Sequence, residues 1–245
     1  MIHRGDKLIP GARRFVEELK RSGRRYIFLN NSAERSSRGL RVQLLKLDVD
    51  IPTSAFLPVS DSIVGFLTSQ RKSPSVFLIG STSLRSKLAA AGVRLVSRKV
   101  EYVLVGSGEG FTKKNIDLAI GMVLNGSKLI TANGEAAGIT ENGLSAGCGA
   151  LVAPIERATG CKAYVVGKPN HLMVRSALAA IESSPENCLI IGDGFDTDIR
   201  VGFESGMKTV LVLSGITKRS DIPNCPYQPD YVFEDVGKIS PDKLP

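Results

Sequence analysis

The 245-residue chain has no tryptophan, only two histidines, four cysteines and 6% aromatic residues. Each scarcity excludes something. His3 and His171 stand in no Ser/His/Asp or Cys/His arrangement, so the common nucleophilic triads have no base to work with. Cys148, Cys161, Cys188 and Cys225 are scattered without a C-x-x-C pair. That spacing, with so little histidine, argues against a structural zinc site and for a reducing, cytoplasmic compartment. Cys188, at the start of an apolar run, reads as packing rather than as a nucleophile. No stretch approaches ~18 consecutive apolar residues, so no membrane span is expected. Residues 1–6 contain no apolar h-region, so no secretory leader is expected either.

What is present is ordinary for a globular protein, with 42% hydrophobic and 23% charged residues. The formal charge is +8, and residues 1–50 carry most of that excess, with twelve Lys and Arg against six Asp and Glu. A basic end raises nucleic-acid binding as a reading. Against it, Arg13, Arg14, Lys20, Arg21, Arg24 and Arg25 are interleaved with Phe15, Val16 and Leu19 at helical spacing, the pattern of a solvated helix face. No aromatic ring is set within the basic run to stack on bases, and we expect no nucleic-acid partner.

Short apolar runs alternate with helical patterns along nearly the whole chain. Strands are predicted at 26–29, 76–79, 102–105, 129–131, 163–166, 188–191, 209–213 and 231–233. Helices are predicted at 11–20, 33–46, 60–70, 83–91, 113–123, 150–158, 171–183 and 197–205. Strands apolar on both faces and alternating with helices predict an α/β fold, a doubly wound parallel sheet covered on each side. Polar and Gly-rich breaks suggest a core built from residues 1–71 and 163–245, with a second α/β unit inserted at 72–162.

Three turns carry candidate chemistry. In Cys188–Ile199 an apolar strand ends at Gly192, and Asp193, Asp196 and Asp198 follow. Ligands of open α/β sheets sit beyond the carboxyl ends of the strands, and carboxylates there suit a hard cation such as Mg2+. Aspartates at a helix N-terminus are also stabilising without any metal, an alternative that weighs most on Asp196. In Ala163–Asn170 a strand runs into Gly167-Lys168-Pro169, with Pro169 suited to a first helical turn. Lys168 there can neutralise a phosphate as a point charge, although a lone lysine is as readily a surface residue. In Tyr26–Ser32 the strand ends in Asn30, Asn31 and Ser32, which can cap the next helix or present N–H groups to an anion. Val103–Phe111 imitates a dinucleotide fingerprint, but Phe111 falls where its third glycine belongs and no acidic strand end follows about twenty residues on.

In this order the chain resembles the haloacid dehalogenase superfamily of phosphohydrolases. It is most similar to the subclass with a large α/β cap between the second and third motifs, which contains p-nitrophenyl, nucleotide monophosphate and phosphoglycolate phosphatases. The resemblance rests on Ile9–Ala12, Phe28–Ser32, Pro52–Ser54, Phe111-Thr112, Gly147–Leu151, Ala158–Gly160, Gly167–Pro169, Gly192-Asp193 with Asp196–Ile199, Val212–Gly215 and Pro229–Val232. It implies a Mg2+-dependent phosphomonoesterase for a small phosphorylated metabolite, working through an aspartyl-phosphate. In that scheme Asp193 is a metal ligand and Lys168 holds the phosphate and the nucleophile. Asp198 supports the acidic cluster, and Asn30, Asn31 and the backbone of Gly194, Phe195, Asp196 and Thr197 contact phosphate or substrate. Metal and lysine neutralise the transferring phosphoryl group, and a carboxylate nucleophile divides hydrolysis into two easier steps. Pairing of two copies through the cap is a further implication.

The resemblance also exposes departures. The superfamily's first motif, D-x-D-G-[TV], carries the nucleophile and the acid/base Asp, and no D-x-D-G occurs in this chain. Met1 stands where its last residue belongs, and Asp6 falls in the loop beyond it. We therefore expect no turnover from these residues, a core weakened by an unpaired central strand edge, and a start codon set downstream of the true one. A relative that has lost catalysis and binds a phosphate ligand is the other reading. Leu29 supports that reading because it replaces the Thr or Ser whose hydroxyl binds phosphate, unless Asn30 serves in its place. Glu135 stands where the cap usually has Asp.

Overall fold

The structure, a computed structural model, describes residues 1–5, 7–140 and 143–244, and Asp6 lies outside them. By packing, the chain forms two compact units. Met1–Ile27, Arg41–Ala55 and Val174–Pro245 make the first, and Phe28–Leu40 with Phe56–Met173 make the second. The expected insertion at 72–162 lies wholly within the second unit. The boundary at 173/174 falls inside the helix His171–Ala180.

The second unit is organised by a five-stranded parallel sheet, ordered Tyr164–Val165, Lys128–Thr131, Tyr102–Val105, Ser75–Ile79 and Arg94–Leu95. Successive side chains of a strand point to opposite faces, and here both faces are dry. Val76, Leu78, Tyr102, Leu104 and Ile130 join a cluster with Val59, Ile63 and Leu67 of the helix Val59–Gln70 and with Leu84 and Leu88 of the helix Thr82–Ala90. Phe77, Ile79, Val103, Val105 and Leu129 join a second cluster with Ala119 and Val123 of Lys113–Leu124 and Val152 and Ile155 of Cys148–Thr159. The near-continuous apolar strands thus have the cause anticipated from their composition, helices on each side. Ser81 and Thr112 start two of these helices, their hydroxyls accepting the N–H of Leu84 and Asn115, each at 3.2 Å. A separate parallel pair, Phe28–Asn30 with Phe56–Pro58, and an antiparallel hairpin, Ala137–Thr140 with Gly143–Ala146, complete the unit.

The first unit contains a three-stranded parallel sheet, with Lys208–Val212 between Leu189–Gly192 and Tyr231–Phe233. Among the described residues Leu189–Gly192 is therefore an edge strand. Phe195, Ile199 and Leu211 are buried beneath it with Ile222, Tyr227 and Val232. The helix Ala12–Arg21 buries Ala12, Phe15 and Val16 and leaves its arginines outside. Arg13 pairs with Asp48 at 3.1 Å, and Arg14 lies 3.5 Å from Glu18 within the same helix. The arginines of this helix thus lie on its solvated side. Gly11, with a φ of 73°, lies so close to Gly237 that a Cβ on either would overlap the other's backbone.

Three local expectations change. The helix predicted from residue 33 starts at Ser37, because Ala33 is pulled into the core and Ser36 supplies the cap, its Oγ accepting the Gly39 N–H at 3.2 Å. Pro169 precedes the helix His171–Ala180 instead of opening it, and Asn170 is the cap, accepting the Leu172 N–H at 3.0 Å. The Lys168–Pro169 peptide is cis. The segment expected as one helix over 197–205 is a π-turn, Phe195–Ile199, followed by the short helix Arg200–Glu204.

Candidate functional site

In the first unit the candidate residues gather where the strand Leu189–Gly192 ends. The chain leaves the sheet at Gly192, and a Cβ there would overlap the Asp198 carboxyl. Asp198 is buried, 8% exposed, and its Oδ2 accepts the Gly194 N–H at 3.2 Å. Its own N–H and that of Ile199 both donate to the Gly194 carbonyl, at 2.8 and 3.2 Å, which is how the π-turn arises. Asp198 therefore closes the turn that presents residues 193–197. Phe195 points into the core, its ring 5.2 Å from that of Tyr227, while Asp196 is exposed. A Cβ on Gly194 would overlap the Thr197 hydroxyl, so Thr197 lies folded over this turn.

Asp193 is held from the following strand's loop. Its Oδ2 accepts the Ile216 N–H at 3.2 Å, and its carbonyl accepts Thr217 N–H at 3.1 Å and Thr217 Oγ1 at 2.8 Å. Gly215 leaves the room for this, since a Cβ there would overlap the carboxylate. The Met1 amino group lies 3.3 Å from Asp193 Oδ1. The glycine and threonine of the 214–217 loop were not singled out from the sequence, although Val212–Gly215 belonged to the resemblance.

In the second unit Asn30, Asn31 and Lys168 share one neighbourhood. Asn30 Oδ1 accepts the Ser32 N–H at 2.7 Å, a local turn rather than a helix cap. Asn31 is 8% exposed; its Oδ1 accepts the Lys168 N–H at 2.8 Å, and its Nδ2 donates to Glu135 Oε1 at 2.8 Å and to the Lys168 carbonyl at 3.3 Å. Lys168 itself is 8% exposed, far from the surface lysine that its position alone allowed. Leu29 packs against the core with no polar part to play. From the sequence, Glu135 reads only as a departure from the resemblance, and Asn133 only as the start of a loop. Asn133 Nδ2 donates to the Asn31 carbonyl at 3.0 Å, and its Oδ1 accepts the Glu135 N–H at 3.2 Å. Beside them Cys148 is fully buried, and burial pushes its thiol up to about 11, so it is inert.

Mg2+ is bound through one or two carboxylates, waters and substrate oxygens. Asp193 offers one such carboxylate, already oriented by the Ile216 N–H. Among the described residues no group of three or more His, Cys, Asp or Glu side chains lies together as a metal cage. The donor set fits a cation held by Asp193 with outside help and does not make a closed protein site. No helix of the described residues is long and apolar enough to cross a membrane.

Family comparisons match both ends of the chain. Residues 1–94 match the haloacid dehalogenase-like hydrolase model and residues 165–239 the HAD-hydrolase-like model. Dihydroxyacetone phosphatase of Corynebacterium glutamicum is 32% identical over 240 residues, covering 98% of this chain and 87% of that protein. Ribonucleotide monophosphatase NagD of Escherichia coli K12 is 30% identical over 231 residues, with 94% and 91% covered. The solved structure of NagD from that strain superposes with a TM-score of 0.91 at 28% identity, covering 98% of this chain and 94% of the other. The 4-nitrophenylphosphatase of Thermotoga maritima does so with a TM-score of 0.92 at 25% identity, covering 98% and 92%. Relatives of this identity span almost the whole length, and the turns at Asp193 and Lys168 fall within or beside the matched segments: the chain belongs to the haloacid dehalogenase-like hydrolases.

Proposed function

We propose that the chain is the phosphate-recognising body of a Mg2+-dependent phosphomonoesterase for a small phosphorylated metabolite. The observation that carries this reading is the burial of Lys168 at a strand-to-helix turn, its backbone fixed on both sides by Asn31. A lysine at such a turn can neutralise a phosphate monoester as a point charge, in a family whose named relatives are phosphatases. Asp193 would hold the metal ion, with Ile216 N–H and Gly215 keeping its carboxylate in place. When bound, the metal supplies positive charge against the transferring phosphoryl group. Asp198 holds the turn that carries Asp193. Residues 72–162 would act as the cap that selects the substrate, from the loop around Asn133–Gly149, and pairing of two copies through that cap belongs to the same reading.

These residues include no D-x-D-G motif, and so no aspartate to form the phospho-enzyme. The 245-residue protein with Mg2+ should therefore show no turnover of p-nitrophenyl phosphate, while a chain extended upstream of Met1 by a strand bearing D-x-D-G should turn it over. Turnover by the 245-residue protein, abolished in Asp193→Ala, would overturn this assignment. Leu29 favours a second reading, a ligand-binding relative without catalysis, because no hydroxyl stands at that place. Inactivity of the extended chain, with phosphate binding retained, would select it.

A further inference from the structure

Asn31 turns both ends of its side-chain amide to the backbone of one residue. Its Oδ1 accepts the Lys168 N–H at 2.8 Å and its Nδ2 donates to the Lys168 carbonyl at 3.3 Å. A primary amide that closes both main-chain groups of a single residue does what a neighbouring strand would do. Two demands decide which way the amide faces. The Lys168 N–H needs the oxygen, and the Glu135 carboxylate, 2.8 Å from Nδ2, needs the donor. Glu135 is fixed in turn: its N–H donates to Asn133 Oδ1 at 3.2 Å, and its carbonyl accepts the Gly149 N–H at 2.9 Å. Gly149 and Gly147 are both bare enough to let the 134–136 backbone approach, since a Cβ on either would overlap it. Gly167 makes the same allowance for Asn31, because its Cβ would overlap Asn31 Oδ1 and the Ala132 carbonyl.

We propose that Asn31 is a positioning residue for Lys168, and that Glu135 sets the orientation of the Asn31 amide. The place of a lysine ammonium depends on the direction in which its Cα sends a flexible four-carbon stem. Pinning the Lys168 peptide on both sides aims that stem before any ligand arrives and leaves less freedom to be lost on binding. Glu135 then acts two steps removed from the ligand, through Asn31 and the Lys168 backbone. The functional half of the proposal rests on Lys168 being the phosphate-binding cation; the positioning half does not.

Two readouts on the full 245-residue protein separate these halves. In the ligand-free protein, acetylation of Lys168 by an N-hydroxysuccinimide ester is followed by peptide mass spectrometry, with the exposed Lys162 as internal reference (its side chain is 88% exposed). Asn31→Ala should raise the Lys168 rate roughly tenfold, the loss of about one buried hydrogen bond, with Lys162 unchanged. Glu135→Ala should raise it less, and Glu135→Gln should stay within about twofold of wild type, since it keeps an acceptor for Nδ2. Should Asn31→Ala fail to fold, the Glu135 pair carries the test. In the second readout, affinity for inorganic phosphate should fall about tenfold in Asn31→Ala, and the Asn31→Ala/Lys168→Ala protein should bind no more weakly than Lys168→Ala alone. Unchanged Lys168 acetylation in both alanine variants overturns the proposal. Phosphate losses that add do so too, because they would make Asn31 a ligand in its own right. Accelerated acetylation in a protein whose wild type has no phosphate affinity leaves the positioning intact and removes the phosphate reading.

Discussion

Asp230, just before the strand Tyr231–Phe233, accepts the Thr209 N–H and hydroxyl at 2.9 and 3.0 Å and returns its own N–H to that hydroxyl at 3.0 Å. Glu101, just before Tyr102–Val105, does the same with Ser75: N–H and hydroxyl at 2.9 and 3.1 Å, and the return bond at 3.0 Å. Each carboxylate also meets a cation, Lys208 at 2.7 Å in the first unit and Arg71 in the second. The two parallel sheets thus begin with one device, which pins the first residues of adjacent strands in register. Their far ends part company. The strand Ser75–Ile79 is followed by Gly80, where a Cβ would meet Leu78 Cδ1 and the Gly106 backbone first. Leu189–Gly192 ends in a glycine pressed on the Asp198 carboxyl and is followed by Asp193. Similar sheets with similar beginnings therefore differ at these two strand ends, where open α/β sheets bind ligands, and of the two it is the one in the first unit that is acidic.

The sharpest way to break this contrast is to add one methyl group to each strand end. Gly192→Ala drives a Cβ into the Asp198 carboxyl and should cost about 2–3 kcal/mol by overpacking. Gly80→Ala meets the movable Leu78 Cδ1 at 3.2 Å and should cost less than about 1 kcal/mol. Urea midpoints of the two variants decide it, and equal shifts would mean that the acidic turn is not tightly built.

A middle-sized effect tests the shared beginnings. Asp230→Asn and Glu101→Gln should each destabilise by about 1 kcal/mol at neutral pH, partly exposed charge-assisted bonds being weak. Hydrogen bonding to Lys208 holds the Asp230 carboxyl below its usual range, and the Ser75 N–H does so for Glu101. A carboxyl with a depressed folded value stabilises in full above its unfolded value, about pH 4 for either residue. The difference between wild type and each variant should therefore be flat from pH 7 to about 5 and shrink as acid carries pH down through the depressed values. A difference that grows in acid would refute the two clasps.

The smallest effect separates helix glycines. Gly121 in Lys113–Leu124 faces open space, so Gly121→Ala should raise stability by about 0.5–1 kcal/mol. Gly202 in Arg200–Glu204 sits against Ile190 and Thr209, so the same change there should lower it. A thermal melt of each variant reads the sign.

The apolar runs made most of the sheet legible, because strands buried on both faces need no periodicity to stand out. The two-residue strands His3–Arg4, Lys7–Leu8 and Arg94–Leu95 are too short to stand out, and other elements escaped for local reasons. Phe56–Pro58 has three residues and a proline, a composition that argues against a strand. Ala137–Thr140 and Gly143–Ala146 carry almost no apolar alternation. At 33–36 the core takes Ala33 before a helix can start. In the site, Asp193, Asp198 and Lys168 stood out because each follows a strand end. The link from Asn31 to Glu135 joins residues 104 apart, and no local spacing encodes it. The same distance hid the use of Asn31, whose type alone suggested a cap or an anion site.

The crossing of Gly11 and Gly237 has a consequence for synthesis. At ~5–20 residues per second, the backbone against which Gly11 seats is made roughly 10–45 seconds after the helix Ala12–Arg21. The buried stripe of Phe15 and Val16 must wait in an unfinished chain, while the continuous stretch from 56 to 173 already holds all five strands of its sheet. Translation order thus favours maturation of the second unit first, with the first unit completed only once Gly237 has been made.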